Sequence, residues 1–225
     1  YGVPCAIAEL ETYCSEKGII LIEDMAVAQG ATIHARPVGS FGSVSVVSFG
    51  VGKVVDVGSG GAILTDDIEL YQTITGLNSQ LSPFENGFLQ ISSEMMNYHT
   101  KLYNEVYLKR QYHQLPDLFK QYALDAGPSF LYQFASNKLE KEIYFKLQGL
   151  KELIQGRQDK LQFLIEKLYG SEKLGIGLFD FSDGSVPWRC NLLVENSRDQ
   201  LLSSLLNEKF KISSWYPSVD MFFEK

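Results

Sequence analysis

A lysine in a glycine-rich loop is the residue whose type and setting best fit covalent chemistry. Lys53 ends the segment at 48–53 (SFGVGK), in a loop from Gly50 to Gly60 that separates two apolar runs. Glycines let the backbone approach a ligand closely. A lysine amine that is kept partly unprotonated forms a Schiff base with an aldehyde. The same pattern is equally typical of a solvated loop lysine, so spacing alone leaves both interpretations open.

Two further polar residues follow apolar runs, where α/β folds bind ligands. Asp24 follows the run at 19–22, and Ser48 lies at the end of the run at 43–49. A carboxylate in this place can keep a pyridine nitrogen protonated, whereas the alternative for Asp24 is a helix N-cap. The Ser48 hydroxyl can bind phosphate, or it can simply end a strand.

The remaining reactive residue types form no catalytic or metal-binding pattern. The three histidines lack a partner pattern and are interpreted as structural or surface residues. The three cysteines lack metal-ligand spacing and fit a reduced, cytoplasmic protein, with no metal expected. These residues are His34, His99, His113, Cys5, Cys14 and Cys190.

The elements that must position these residues follow an α/β pattern. In chain order, we predict a helix at 5–17 that ends at Gly18, strands at 19–22, 43–49 and 61–65, helices over about 90–168, a strand at 188–194, a helix at 197–209 and a strand at 212–215. A helix followed by an apolar strand and then by acids is typical of an α/β fold with buried parallel strands.

Composition excludes several function classes. The 225 residues are 45% hydrophobic and carry a net charge of −7, which is ordinary for a globular protein. The negative charge argues against nucleic acid as a partner, because phosphate contacts need clustered Lys and Arg. No apolar run has the length of a transmembrane segment.

Four segments together resemble the DegT/DnrJ/EryC1/StrS family of sugar aminotransferases. In the family's order, they are residues 1–4 (YGVP), 21–31 (LIEDMAVAQGA), 38–42 (VGSFG) and 48–66, which holds SFGVGK and GSGGAILTD. The resemblance implies the aspartate aminotransferase-like fold, type I of the pyridoxal-phosphate (PLP) enzymes. Its strong part covers residues 1–67, and weaker similarities follow around Arg157, 187–189 and 215–217.

The resemblance also implies roles for individual residues. Lys53 would form the Schiff base with PLP and move a proton during the reaction. Asp24 would pair with the ring nitrogen, Ser48 would contact the phosphate, and Ala26 would lie at the cofactor. The substrate would be approached by Arg189, Trp215 and Tyr216.

The activity implied is amination of a keto nucleotide sugar, with an amino acid as donor, in amino-sugar or surface polysaccharide synthesis. The resemblance also implies a homodimer. Three positions depart from the family pattern: Val27 replaces a glutamine, Ser43 an aspartate and Ser59 a glutamate. A non-catalytic homologue or fragment with a structural or regulatory role is therefore the alternative. A dehydratase relative would be expected to lack the lysine, so Lys53 disfavours that reaction.

The predicted organisation has three parts. Residues 1–90 form part of the PLP-binding large domain, 91–150 a helical connection, and 151–225 a small C-terminal α/β domain. The sequence opens without Met, almost directly on a helix, and the family's phosphate-binding segment precedes its "YGxP" motif. We therefore expect the large domain to lack its N-terminal portion, on the order of a hundred residues. Residues 1–225 alone should then be poorly soluble or bind PLP weakly.

Overall fold

The computed structural model describes residues 1–81, 97, 100–101, 117–118, 120–121, 124, 137–210 and 212. The chain divides into two compact units, each built from separate stretches: residues 1–76 with 136–195, and residues 77–135 with 196–225. Trp215 and Tyr216, most of the predicted helical region at 90–136 and the predicted strand beyond residue 212 lie outside the described residues. The three-part division of the chain stays a prediction.

The first unit holds most of the described elements. Their bounds are α1 Ile7–Lys17, β1 Ile22–Asp24, β2 Thr32–Ile33, β3 Arg36–Pro37, β4 Val44–Ser48, β5 Gly61–Leu64, α3 Asn137–Gln148, α4 Leu150–Lys167, a 3₁₀ turn Ser171–Leu174, β6 Ile176–Leu178 and β7 Leu192–Val194. Helix α2, Ile68–Asn78, begins in this unit. In the second unit, α5 spans Arg198–Asn207.

Among the described residues, β1, β4 and β5 form a three-stranded sheet with β4 in the centre. Strand β4 pairs parallel with β1 and antiparallel with β5. Ser45 and Val47 of β4 face the interior and are buried, and the strand alternates accordingly. The predicted strands at 43–49 and 61–65 are thus confirmed, apart from their end residues.

The prediction of a buried strand at 19–22 is wrong in its position and its burial. The strand begins at Ile22, and the side chains of Ile19, Ile20 and Ile22 are exposed, whereas Glu23 is buried. Helix α1 ends as predicted, because Gly18 takes the left-handed conformation with φ of 64° and the N–H of Ile19 bonds back to Cys14.

Two small apolar clusters hold the first unit together and fix the ends of the Lys53 loop. Val54 lies in one cluster with Ala31, Val38 and Val186. Val55 lies in the other with Val47 and Phe49. Because the two residues that directly follow Lys53 are buried in different clusters, the loop cannot shift without opening both.

The C-terminal stretch of the first unit is a short antiparallel pair, β6 with β7. The strand predicted at 188–194 is shorter than expected and begins only at Leu192. Trp188 and Arg189, where this strand was predicted to begin, do not pair with another strand among the described residues. They lie against the Lys53 loop. No helix among the described residues is both long and apolar enough to cross a membrane.

Candidate active site

The carboxyl ends of β1 and β4 bring Asp24 and Ser48 to one edge of the sheet. The strands run parallel and Asp24 lies opposite Val46, two residues before Ser48. The Asp24 carboxylate accepts a hydrogen bond from the N–H of Ala26 at 3.0 Å, so Ala26 forms the turn that follows the strand. The Ser48 hydroxyl accepts a long bond from the N–H of Gly50, at 3.4 Å.

Asp56 shapes the loop that carries Lys53. Its two carboxylate oxygens accept the N–H groups of Gly52 at 2.7 Å and Gly58 at 2.8 Å, one on either side of the turn. Gly52 has φ of 81°, a conformation that L side chains rarely adopt. The half-buried Lys53 follows directly, and its own N–H bonds to the carbonyl of Gly50 at 3.2 Å.

Gln29 is a structural residue of the site that sequence reasoning missed. It is 3% exposed, its Nε2 donates to the carbonyl of Ser48 at 2.8 Å, and its Oε1 accepts the N–H of Val55 at 2.9 Å. One amide side chain therefore ties the end of β4 to the far side of the Lys53 loop. The available signal was a polar residue inside the otherwise small and apolar segment at 25–31.

Glu23 is a second residue that was missed. Its carboxylate accepts the N–H groups of Gly39 at 2.7 Å, and of Phe41 and Gly42 at 2.6 Å. These bonds satisfy a buried charge and fix the turn at 39–42 beneath the strand next to Asp24. An acid directly after a predicted apolar strand was the sequence signal.

A tryptophan lies between the candidate lysine and a candidate substrate-binding arginine. The Lys53 ammonium nitrogen is 5.3 Å from the centre of the Trp188 ring, and the Arg189 guanidinium carbon is 4.4 Å from it. Both distances are within the range of a cation–π contact. The Trp188 indole Nε1 donates to the carbonyl of Gly52 at 2.9 Å, which fixes the ring against the loop.

Burial of Lys53 favours its neutral form. Burial lowers the pKa of the Lys53 amine, the carboxylate of Asp24 opposes this by raising it, and the guanidinium of Arg189 lowers it further. The amine is therefore uncharged at a lower pH than that of an ordinary lysine, which is what attack on a carbonyl carbon requires.

The nearby thiol is less suited to nucleophilic chemistry. Burial raises the pKa of Cys190, while the guanidinium of Arg157 partly lowers it. Since the thiolate is the reactive form, Cys190 is a packed thiol in this setting.

The structure thus brings together Asp24, Ala26, Ser48, Lys53 and Arg189, whereas Trp215 and Tyr216 lie outside the described residues. In the described part of the chain, no cluster of His, Cys, Asp and Glu could hold a metal ion. A groove of about 520 Å³ lies elsewhere, between α4 and residues 178–185, and its lining does not include Lys53.

Comparison with known proteins shows which family the N-terminal part of the sequence resembles. Residues 1–106 match the sequence model of the DegT/DnrJ/EryC1/StrS aminotransferase family. The matched residues make up slightly less than half of the chain. The resemblance stated from the motifs is confirmed, and the matched stretch includes Asp24, Ser48 and Lys53.

The similar relatives include a sugar aminotransferase, a GDP-perosamine synthase and a sugar 3-dehydratase. A GDP-perosamine synthase of Vibrio cholerae is 41% identical over 66 residues, which are 29% of this chain and 18% of that protein. A dTDP-4-dehydro-2,3,6-trideoxy-D-glucose 4-aminotransferase of Saccharopolyspora spinosa is 36% identical over 69 residues, or 31% and 18% of the two chains. The aligned stretch is thus under a fifth of either relative.

Solved structures of the family extend the likeness to the fold of nearly the whole chain. The aminotransferase TlmJ of Streptoalloteichus hindustanus has a TM-score of 0.63 at 19% identity, over 92% of this chain and 47% of that one. A DegT/DnrJ/EryC1/StrS aminotransferase of Brucella abortus has a TM-score of 0.59 at 19% identity, over 92% and 45%. The chain spans about half of these structures, and the predicted type I fold is confirmed for that part.

Proposed function

We propose that this protein is a PLP-dependent aminotransferase that transfers an amino group from an amino acid to a keto nucleotide sugar. The observation that carries the proposal is Lys53, a half-buried amine with a lowered pKa in a loop anchored by Gln29 and Asp56. The match of residues 1–106 to an aminotransferase family supports the reaction class.

The residues of the site fit PLP by their chemistry. A primary amine, a carboxylate and a hydroxyl belong to one sheet edge and the loop that follows it, and the Asp24 charge acts on the Lys53 amine. PLP, when bound, supplies an aldehyde that reacts with amines and a protonated ring that withdraws electrons. Each of these three groups has a counterpart on that cofactor.

The chain's own residues would then divide the work. In its neutral form, the Nζ of Lys53 would attach the cofactor and could also hold and return the proton of the substrate carbon. The Asp24 carboxylate would keep the ring nitrogen protonated. The Ser48 hydroxyl and the turn through Ala26 would help to hold the phosphate and the ring.

Arg189 is proposed as a substrate-binding residue. Its guanidinium is exposed and lies over the same indole ring as the Lys53 amine, so it can bind an anionic group close to the reacting atoms. Both substrates carry such groups: the nucleotide sugar has phosphates, and the amino donor has a carboxylate. Trp215 and Tyr216 stay predicted substrate contacts.

The substrate class rests on the names of the relatives, which include aminotransferases of GDP-, dTDP- and UDP-linked sugars. We also propose that the protein is a homodimer in the cytoplasm. The three cysteines are free, which suits a reducing compartment.

The second candidate is a non-catalytic homologue. It is supported by Ser59, which replaces the family's glutamate and whose buried hydroxyl has no hydrogen-bond partner in the part of the chain described.

The deciding experiment maps where the cofactor attaches. The full-length protein is incubated with PLP, reduced with borohydride and digested, and the labelled peptide is identified by mass spectrometry. Label is expected on Lys53, accompanied by the visible absorbance band of a lysine-bound cofactor. Lys53→Arg should abolish both, whereas Lys160→Arg, on the exposed face of α4, should leave both unchanged. Label on another lysine would refute the assignment, and no label at all would favour the non-catalytic alternative.

A further inference from the structure

Arg157, on helix α4, connects two segments of the candidate site that are far apart in sequence. Its guanidinium donates to the carbonyl of Lys53 at 3.0 Å, across 104 residues of chain. The same group donates to the carbonyls of Pro187 at 3.1 Å and Trp188 at 3.0 Å. One side chain therefore bonds to the backbone of the candidate catalytic lysine and to that of the segment carrying Trp188 and Arg189.

The fork shape of the guanidinium suits this bridge. Arginine presents several N–H donors in a fixed plane, so it can bond to carbonyls on two segments at once, whereas a lysine offers one nitrogen. The three backbone carbonyls are acceptors that no substitution removes, so the bridge depends on the residue at position 157.

The partial burial of Arg157 favours hydrogen bonds from its guanidinium to the three carbonyls. The guanidinium is half-buried, and burial lowers its pKa, while the charges of Asp56 and Cys190 act in the opposite direction. An arginine stays charged throughout the usual pH range. A partly buried charge needs hydrogen-bond partners, and the three carbonyls supply them.

The bridge explains why Lys53 and Arg189 lie over the same ring. Arg157 joins the two backbones, and the Trp188 indole adds a second link through the carbonyl of Gly52 at 2.9 Å. With both backbones fixed, the Lys53 amine remains 5.3 Å from the centre of the Trp188 ring. Without the guanidinium, the hydrogen bonds given above would leave one between the loop and this segment, that of the indole.

We propose that Arg157 is a positioning residue for Lys53: by bridging the Lys53 and Trp188 backbones, it holds the lysine amine where it meets the cofactor and the substrate. This role rests on the proposed function. The proposed role of Arg157 is to raise the rate at which Lys53 reacts, in addition to any contribution to the stability of the fold.

The test compares wild type, Arg157→Ala, Arg157→Lys and the control Gln155→Ala in the full-length protein. Gln155 lies on the same helix and is exposed, and within the described part of the chain its side chain bonds to Asp159 of α4. Two rates are measured in each variant at one pH: PLP attachment to Lys53, trapped by borohydride, and acetylation of the exposed Lys160. Hydrogen exchange of the amides at 50–58 and 186–190 is recorded without added cofactor.

Arg157→Ala should slow attachment at Lys53 about tenfold, the effect of losing one or two charge-assisted hydrogen bonds, and leave acetylation of Lys160 unchanged. Amide exchange should rise in both segments together. Arg157→Lys should recover part of the rate, and Gln155→Ala should match wild type. If Arg157→Ala does not fold, Arg157→Lys carries the test, with a slower rate at Lys53 alone as the expected result.

An Arg157→Ala protein with the wild-type rate at Lys53 would overturn the role of Arg157 and leave the proposed function standing. Equal slowing at Lys53 and Lys160 would overturn it as well, because that pattern means general loss of structure. A wild-type protein that attaches no cofactor to Lys53 would overturn the proposed function, and the role of Arg157 with it.

Discussion

The protonation of Lys53 is set by opposing neighbours, and each neighbour can be removed separately. Burial lowers the pKa of this amine, Asp24 raises it and Arg189 lowers it. Because only the neutral amine is acylated, the labelling rate of Lys53 should rise with pH and reach its midpoint below about 10.4, the ordinary value for lysine. Competitive labelling followed by mass spectrometry measures this midpoint.

Two substitutions should move that midpoint in opposite directions. Asp24→Asn removes the influence that raises the pKa of Lys53, so the midpoint should fall. Arg189→Gln removes an influence that lowers it, so the midpoint should rise. Shifts of the same sign in both variants would show that the electrostatic assignment is wrong, since a general loosening of the loop would move both alike.

Asp24→Asn should also reduce turnover in the full-length enzyme. An amide does not keep the cofactor's ring nitrogen protonated, so the ring would withdraw electrons less strongly. Transamination rates with a keto nucleotide sugar measure this loss, while circular dichroism checks that the fold is kept. A near-normal rate in a variant that binds PLP would rule out the role given to Asp24.

Glu23 shows the energetic weight of one buried carboxylate. It is 6% exposed and accepts three backbone N–H groups. In Glu23→Gln, the NH₂ group of the new amide faces backbone N–H groups, so that a donor meets donors. We therefore expect a loss of about 3 kcal/mol in the free energy of unfolding, measured with urea. The matched control is Glu11→Gln, which removes an exposed ion pair with Arg36 and should cost much less stability. Equal losses would contradict this account of Glu23.

At the scale of elements, the sequence predicted those whose signals are local. Helix α1 has its glycine cap, and β4 has its alternation of small polar and apolar residues. The β2–β3 hairpin was missed, because its turn places His34 and Ala35 at positive φ, where Asn or Gly is the usual signal. Strand β1 was predicted too early, since the apolar run at 19–22 does not show which of its residues pair with β4.

The residues of the candidate site were also predicted only where their signal is local in the sequence. Lys53, Asp24 and Ser48 were predicted because each lies in a short motif that directly follows a strand. Gln29 and Arg157 were given no role, since their partners lie 19 to 104 residues away and only the folded chain brings them together. Arg189 stays a predicted substrate contact, and its indole neighbour, Trp188, was found only from the coordinates.

Two left-handed glycines allow a test of how residues 182–186 attach to the hairpin. Gly184 has φ of 80°, and a Cβ added there would lie 2.2 Å from the Thr32 carbonyl oxygen. Gly18 has φ of 64°, and a Cβ added at this residue would have no other atom within 4 Å. Gly184→Ala should therefore cost about 3 kcal/mol of stability, from backbone strain and collision together, and Gly18→Ala about 1 kcal/mol from strain alone.

Thermal unfolding of both glycine variants gives the comparison. Because the N–H of Thr32 bonds to the carbonyl of Gly184 at 2.9 Å, the loss in Gly184→Ala includes this contact. Similar unfolding temperatures for the two variants would mean that residues 182–186 can leave the hairpin at little cost.

At the scale of the whole molecule, we predict a homodimer for the full-length protein. The family resemblance implies that active sites lie near a subunit interface, where both chains can contribute contacts. Light scattering coupled to size exclusion at micromolar concentration measures the mass. A monomer at that concentration would count against this assembly.

The sheet of the first unit has an apolar face that the described residues leave exposed. Strand register places Ile22, Val46 and Ile63 on the same face as Asp24, opposite to the buried Glu23, Ser45 and Val47. The three apolar side chains are 61%, 37% and 52% exposed. A contiguous patch of this kind favours association, because burying apolar area is worth about 25 cal/mol per Å².

We therefore expect a chain of residues 1–225, expressed alone, to self-associate through this face. Ile22→Lys combined with Ile63→Lys should raise the monodisperse fraction in dynamic light scattering, because two charges on the patch repel a second copy and resist burial. Tyr169→Lys is the control: this ring is 91% exposed but lies outside the sheet, so its replacement should change little. Equal improvement in both variants would show that the effect does not depend on this face of the sheet. A monodisperse wild-type chain would show that exposure of this face does not cause association. The three-stranded sheet would then be stable without a further covering element.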